Sequence, residues 1–210
     1  MIELLPQTVG WYGKLPSRGD FVGKGLPRDW QGLWDDWLQA GLAHAAQCLG
    51  PAALRARLQA MEPWQCAVFV GTPDEPAWCG VLAASSDRVG RVFPLLLVEA
   101  YDGQLLAHAD LAALHPRAQS MIDWIEEATQ SLVAPKDFDQ GAREIGQTPW
   151  RGDCHDERAG AGVLAEWRGE RQAASLWWPA ADGAGAPVPL VEDWPPREGL
   201  LLELVHGPRA

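Results

Sequence analysis

Two turn-rich segments carry the residue types best suited to chemistry. The first runs Gly10-Trp11-Tyr12-Gly13-Lys14-Leu15-Pro16-Ser17-Arg18-Gly19-Asp20-Phe21-Val22, and the second runs Ser85-Ser86-Asp87-Arg88-Val89-Gly90-Arg91-Val92-Phe93-Pro94-Leu95. Each sets Arg and Asp beside Gly and then enters an apolar, strand-like stretch. Glycine reaches backbone angles that other residues avoid, so such a turn aims its neighbours' charges at one spot. Arginine offers a planar fork to carboxylate, phosphate or carbonyl groups. Two readings stand side by side. Arg18 pairs locally with Asp20, and Arg88 and Arg91 pair with Asp20 or Asp87, and the ion pairs shape the turns. Alternatively Ser17, Arg18, Asp20, Asp87, Arg88 and Arg91 form a partner-binding surface next to exposed aromatic surface from Trp11 or Tyr12. Both hold if an ion pair shapes the loop and the loop then binds.

Catalytic readings of the chain lack their required parts. Gly19-Asp20-Phe21-Val22-Gly23-Lys24-Gly25 has three residues between its first glycines where a phosphate loop needs four, and Gly25 stands where Ser or Thr is required. Asp153-Cys154-His155-Asp156-Glu157 reads as a solvated acidic loop. Adjacent residues rarely converge on one ion, and no second Cys/His cluster completes a tetrahedral zinc site. The five His are scattered, and no Gly-x-Ser-x-Gly elbow is present. No catalytic residue, metal site or cofactor is therefore expected. Arg18-Gly19-Asp20 also spells an adhesion tripeptide, a role that needs export, and nothing in the sequence supports export.

These turns need a scaffold, and 210 residues suffice for one large domain that buries roughly 70% of its unfolded surface. Hydrophobic residues make up 47% and charged residues 21%, which places the chain among globular proteins. The net charge of −11 disfavours nucleic acid and anionic lipid as partners and favours a basic or neutral protein. The opening residues lack the basic start and long apolar run of a signal peptide, and no stretch is long enough to cross a bilayer. The four Cys are widely spaced without pattern and read as reduced, so a cytoplasmic location is expected.

Short strands are expected at 8–15 and 20–22, flanking the Pro16–Gly19 turn. A helix follows Pro27, with Trp30, Trp34, Trp37, Leu38, Ala45 and Leu49 on its apolar face, and ends at Gly50-Pro51. The Trp stripe reads as core packing. A shorter helix is expected at 52–60, then antiparallel strands at 65–71, 77–84 and 91–100, because short loops cannot make parallel crossovers. A second long helix is expected near 116–133, with Pro116 in its first turn and Met121, Ile125, Ala128 and Leu132 as its stripe. Residues 134–162 read as a surface excursion, 162–168 and 173–178 as a hairpin, 180–189 as a loop, and 200–205 as a strand or short helix. Only one of Trp177 and Trp178 can face a given core layer, which leaves the other for the loop 180–189 or for a partner. The expected class is α+β. A central antiparallel sheet of about five strands, in longin-like order, carries two long helices on one face. A core spans 1–133, and a C-terminal extension over 134–210 packs on the same domain.

The motifs resemble those of the TagF/ImpM family of bacterial type VI secretion. The resemblance rests on Gly10–Pro16 followed by Gly19-Asp20-Phe21, on Trp34-Asp35-Asp36-Trp37-Leu38, on Trp78-Cys79-Gly80-Val81-Leu82, on Ser86–Leu95 and on Ser175-Leu176-Trp177-Trp178. It covers most of the chain in order and is most specific over residues 10–98. It implies a cytoplasmic, non-enzymatic regulator that holds the secretion apparatus inactive after translation, with an FHA-domain scaffold protein as partner. Some members are fused to a phosphatase domain, for which 210 residues leave no room. The family's signature positions fall here on Ser17, Arg18, Gly19, Asp20, Asp87, Arg88, Gly90 and Arg91. FHA domains grip phospho-motifs with Arg-bearing loops, and an acidic surface could address such loops without phosphate. The competing class is a small nucleotide-binding or hydrolytic protein using Asp20, Asp87 and Arg88. A third is a structural subunit of the apparatus.

Overall fold

The computed structural model describes residues 2–4, 6–72, 74–152, 164–180 and 188–207. Short strands β1 (Ile2–Leu4), β2 (Thr8–Gly13) and β3 (Val22–Lys24) open the chain. Helices α1 (Arg28–Leu49) and α2 (Pro51–Gln59) follow, then strands β4 (Trp64–Phe69), β5 (Ala77–Ser86) and β6 (Val92–Tyr101). Next come α3 (Gly103–Ala107), α4 (Leu111–Gln130), α5 (Pro135–Gly146) and β7 (Trp150–Gly152). The chain closes with α6 (Leu164–Arg168), β8 (Ala174–Pro179), β9 (Leu190–Asp193) and α7 (Gly199–His206).

One antiparallel sheet organises the molecule, in the order β3-β2-β6-β5-β4-β8-β9, while β1 and β7 pair separately. The class is α+β, but the sheet has seven strands rather than about five. The additional pair comes from the C-terminal third. β8 lies along β4 with Cys66 opposite Trp177 and Gln65 opposite Trp178, and β9 pairs with β8. Residues 164–168 form the helix α6 rather than the first strand of a hairpin, because β8 finds its partners in β4 and β9.

Helices cover both faces of the sheet, not one. Side chains alternate along a strand, so Cys66, Val68, Trp78, Leu82, Leu96, Val98 and Trp177 meet Trp30, Trp34, Trp37 and Leu38 of α1 and Leu200, Leu201 and Leu204 of α7. On the opposite face Phe69, Cys79, Tyr101, Leu176 and Trp178 meet Leu106, Leu111, Leu114 and Leu164. Beside them Trp11, Val81, Leu95 and Leu97 meet Met121, Ile122 and Ile125 of α4 and Phe138 and Ala142 of α5. Trp177 and Trp178 are therefore both fully buried, on opposite faces, so neither is exposed for a partner; residues 181–187 of the expected covering loop lie outside the described residues.

Three local expectations change with this second layer. The polar stretch after residue 134 contains α5, whose Phe138 and Ala142 are buried one turn apart. Helix α4 begins at Leu111, upstream of expectation, since Leu111 and Leu114 are also buried, and Pro116 lies inside it. Leu132 lies beyond the end of α4, 61% exposed, and does not join the apolar stripe.

Candidate functional site

Beyond the last strand pair, Ser86 and Val92, Asp87 and Arg91 flank the three-residue loop Arg88-Val89-Gly90 that closes the β5–β6 hairpin. Asp87 N–H donates to the Arg91 carbonyl (3.0 Å), and Gly90 N–H to the Asp87 carbonyl (2.9 Å). Gly90 adopts φ 77°, the left-handed position that ends a loop of this length and that glycine fills at least cost. Arg88 and Val89 are thereby driven to the tip, where both are exposed.

Asp87 sits beneath the tip with its carboxylate sealed from solvent. It accepts from Val89 N–H (3.0 Å), Arg91 N–H (2.9 Å), Arg91 Nε (2.6 Å) and Lys14 Nζ (2.9 Å). Burial alone would raise its pKa. The Lys14 contact and the bonds from Arg91 and Val89 outweigh that and hold the carboxyl well below the ordinary carboxylate range. Lys14 is a residue the sequence reading did not single out. Side chains alternate along a strand, so Lys14, just past the end of β2, continues the face of Tyr12, opposite Trp11 and Leu15, and is buried there.

The first turn is zipped to the second by backbone as well as charge. Arg88 N–H donates to the Arg18 carbonyl (2.8 Å) and Arg91 Nη2 to the Gly19 carbonyl (2.9 Å). Ser85 Oγ donates to the Lys14 carbonyl (2.7 Å). Ser17 Oγ reaches the Val133 carbonyl (2.7 Å), tying both turns to the end of α4. Phe21 packs edge-on to Phe93 (4.5 Å) and stacks on Tyr12 (5.7 Å), with Lys14 Nζ 4.9 Å from its ring centre. Tyr12 in turn donates to Asp35 at 2.6 Å, and both Trp11 and Tyr12 are buried, so the exposed aromatic beside the turns is Phe21 rather than either of them. The six candidate residues thus divide. Asp87, Arg91 and Ser17 hold the two turns together. Arg18, Asp20 and Arg88 are exposed and make no ion pair with one another or with Asp87 among the described residues. The internal pair is Asp87 with Lys14 and Arg91, not Arg18 with Asp20.

Other charged groups sit behind this surface. Asp139 on α5 accepts from Lys24 Nζ (2.7 Å), Arg143 Nε (3.1 Å) and the Trp11 indole (3.4 Å). Burial raises its pKa, and these partners, Lys24 foremost, lower it further than burial raises it. Glu99 on β6 is fully buried, accepts from the Tyr101 hydroxyl, and lies 3.4 Å from Arg117 Nε. Burial pushes the Glu99 carboxyl up against the pull of Arg117. Arg117 also donates to the carbonyls of Ile145 and Thr148, so it ties the end of α5 to the sheet. A lone Glu in the apolar run Leu95–Ala100 was the sequence signal for this cluster. Between α4 and α5 a groove of about 980 Å³ is lined by Trp124, Gly141 and Ile145 and by the carboxylates of Asp123, Glu127, Asp137 and Glu144. Asp153–Glu157, including Cys154, lie outside the described residues. Among the described residues no group of His, Cys, Asp and Glu is arranged to hold a metal ion, and no helix is long and apolar enough to cross a membrane.

Comparison with known proteins places this arrangement. The crystal structure of PA0076 from Pseudomonas aeruginosa PAO1 is similar to the chain, with a TM-score of 0.69 and 26% sequence identity over 96% of both chains. No curated protein sequence matches. A family model described as the TagF N-terminal domain, type VI secretion system-associated, matches residues 10–145. That span holds both turns, the lysine and aspartate that lock them, and the two long helices behind them, and on this match the chain belongs to the TagF N-terminal domain family of type VI secretion-associated proteins.

Proposed function

We propose that this protein is a cytoplasmic, non-enzymatic regulator that restrains type VI secretion by binding an FHA-domain scaffold, with the paired turns as its contact. One observation carries the choice of surface. A sealed Asp87 fixes both turns through Lys14 and Arg91, while Arg18 and Arg88 project into solvent without a carboxylate partner among the described residues. Rigid turns that expose arginine form an interface at low ordering cost. The nucleotide-binding or hydrolytic alternative is weakened by the same geometry. Asp87 spends its lone pairs on four internal donors, and neither Asp20 nor Arg88 shares a bond with it. Because the rim of the turns bears arginine, an acidic surface that could address an FHA loop lies elsewhere, along Asp123, Glu127, Asp137 and Glu144.

Calorimetric titration with the FHA-domain protein of the same secretion gene cluster, at two salt concentrations, tests the proposal. Saturable, salt-sensitive binding is expected, weakened in a folded Asp20→Ala/Arg88→Ala variant. Binding that persists in that variant moves the contact to the α4–α5 groove. Absence of binding, together with thermal stabilisation by a nucleotide, would favour the alternative.

A further inference from the structure

We infer that a third segment completes the paired turns into one docking surface, and that this surface fits a partner segment carrying carboxylates beside aliphatic side chains. The inference deepens the proposed function and rests on it for the identity of the partner, but not for the surface. The third segment is the turn after α4. Ser17 Oγ bonds the Val133 carbonyl, and this places Leu132 beside the β2–β3 turn, which is itself bonded to Arg88.

Three observations converge there. Among the described residues, the exposed large apolar side chains include Phe21 at 39%, Val89 at 69% and Leu132 at 61%, one on each of these connected segments. Exposed apolar groups gathered at one end of a protein mark an interaction site more than scattered ones do. Secondly, Leu132 has φ 53°. Val133 N–H returns to the Ala128 carbonyl at 3.0 Å, which closes α4 in the manner that normally places Gly or Asn at this position. A leucine there is strained and gains little burial, so fold stability does not account for it.

Thirdly, the charge is cationic in a chain of net charge −11. Within these turns Lys14, Arg18, Arg88 and Arg91 outnumber Asp20 and Asp87; from neighbouring helices Arg55 Nη2 lies 3.3 Å from the Gly90 carbonyl, and Asp35 is bonded to Tyr12 beneath Phe21. Arginine rimming exposed aliphatic groups fits carboxylates flanking Leu- or Val-type side chains. The same charge disfavours a second copy of this acidic-grooved chain less than it disfavours a basic partner, so self-association is an arm of the test.

The test uses the full chain with two ligands: the FHA-domain scaffold of the same gene cluster, and a synthetic peptide of alternating Glu and Leu. Variants are Arg88→Glu, Val89→Asp and Leu132→Gly, with Val188→Asp as control. Val188 is 72% exposed and adjoins β9, at the other edge of the sheet. Each tip variant is expected to weaken binding at least tenfold, with the control unchanged. Leu132→Gly is expected to do so without lowering the melting temperature, which a merely structural role would not produce. If the scaffold binds and the tip variants bind as wild type, the surface is wrong while the partner stands. If only the peptide binds, and the tip variants weaken it, the surface stands and the partner is wrong. Loss of a wild-type dimer in Val89→Asp, or no binding of either ligand, overturns the inference.

Discussion

Helix α5 offers the sharpest test of this architecture, because its polar sequence is also compatible with an exposed loop. Phe138 is fully buried and packs edge-on to Trp11 at 4.8 Å and against Trp124 at 5.8 Å. Truncation to Ala removes a ring whose burial stabilises by about 2–3 kcal/mol. It also removes aromatic pairing of about 0.5–1.5 kcal/mol. The expected cost of Phe138→Ala is therefore about 3–4 kcal/mol, within the usual range for buried aromatics. For a chain of this size that lowers the melting temperature by roughly 6–16 °C. Guanidinium denaturation followed by circular dichroism measures it, with an unchanged slope as the check that the same surface unfolds. The neighbouring Lys136→Ala serves as the exposed control, with an expected change within about 0.5 kcal/mol. A loss below about 1 kcal/mol for Phe138→Ala would show that α5 does not seal this face. The lock of Asp139 on Lys24 and Trp11 would then lack its support.

Other predictions follow from the ionic and thiol groups. The folded-state pKa of Asp87 is depressed, so its contribution is present above the ordinary value of 3.8 and is lost as pH falls through the folded value. As pH falls from about 5 to about 2 the denaturation midpoint of the wild type should therefore fall more steeply than that of Asp87→Asn, with no difference in slope between about pH 7 and about pH 5; equal slopes below about pH 5 would refute the lock. Glu99 has the opposite sign. Its raised folded pKa favours the protonated form, so its contribution is fullest below 4.5 and declines as pH rises through the folded value, a decline that Glu99→Gln should abolish. Burial pushes the Cys66 thiol up to about 12 and Cys79 well above its ordinary value, whereas Cys48 is exposed. Peptide mapping after brief alkylation should find Cys48 labelled in the native protein, and Cys66 and Cys79 labelled only after unfolding. Trp177→Ala and Trp178→Ala should each cost about 3–5 kcal/mol in urea denaturation. A change below about 1 kcal/mol in either would place that residue on an open face.

Much of the scaffold was legible because its signals are local. The apolar spacing of Trp30, Trp34 and Trp37 marks α1 before any neighbour is known, and the Pro and Gly turns bound β4, β5 and β6. The site was half legible. Arg and Asp beside Gly pointed to both turns, but nothing in the order of residues said that Asp87 would choose Lys14 and Arg91 over Arg18 and Arg88. Leu132 looked like one more stripe residue, since its spacing from Ala128 is helical. Only the chain reversal after α4 turns it outward.

Periodicity and turn chemistry alone determined the element order from β2 through β6, the apolar face of α1 and the two charged turns, because these depend on neighbours a few positions away. The family resemblance lay in the same local motifs. Tertiary structure decided what depends on distant partners. It brought β8 to the open edge of β4, which buried Trp177 and Trp178 on opposite faces and required a second helical layer. It made α5 a core helix by offering Phe138 the ring of Trp11. It also settled which charges are spent inside and which are left outside, because a carboxylate pairs with the cations the fold sets beside it, and Lys14 lies 73 positions from Asp87 in the chain.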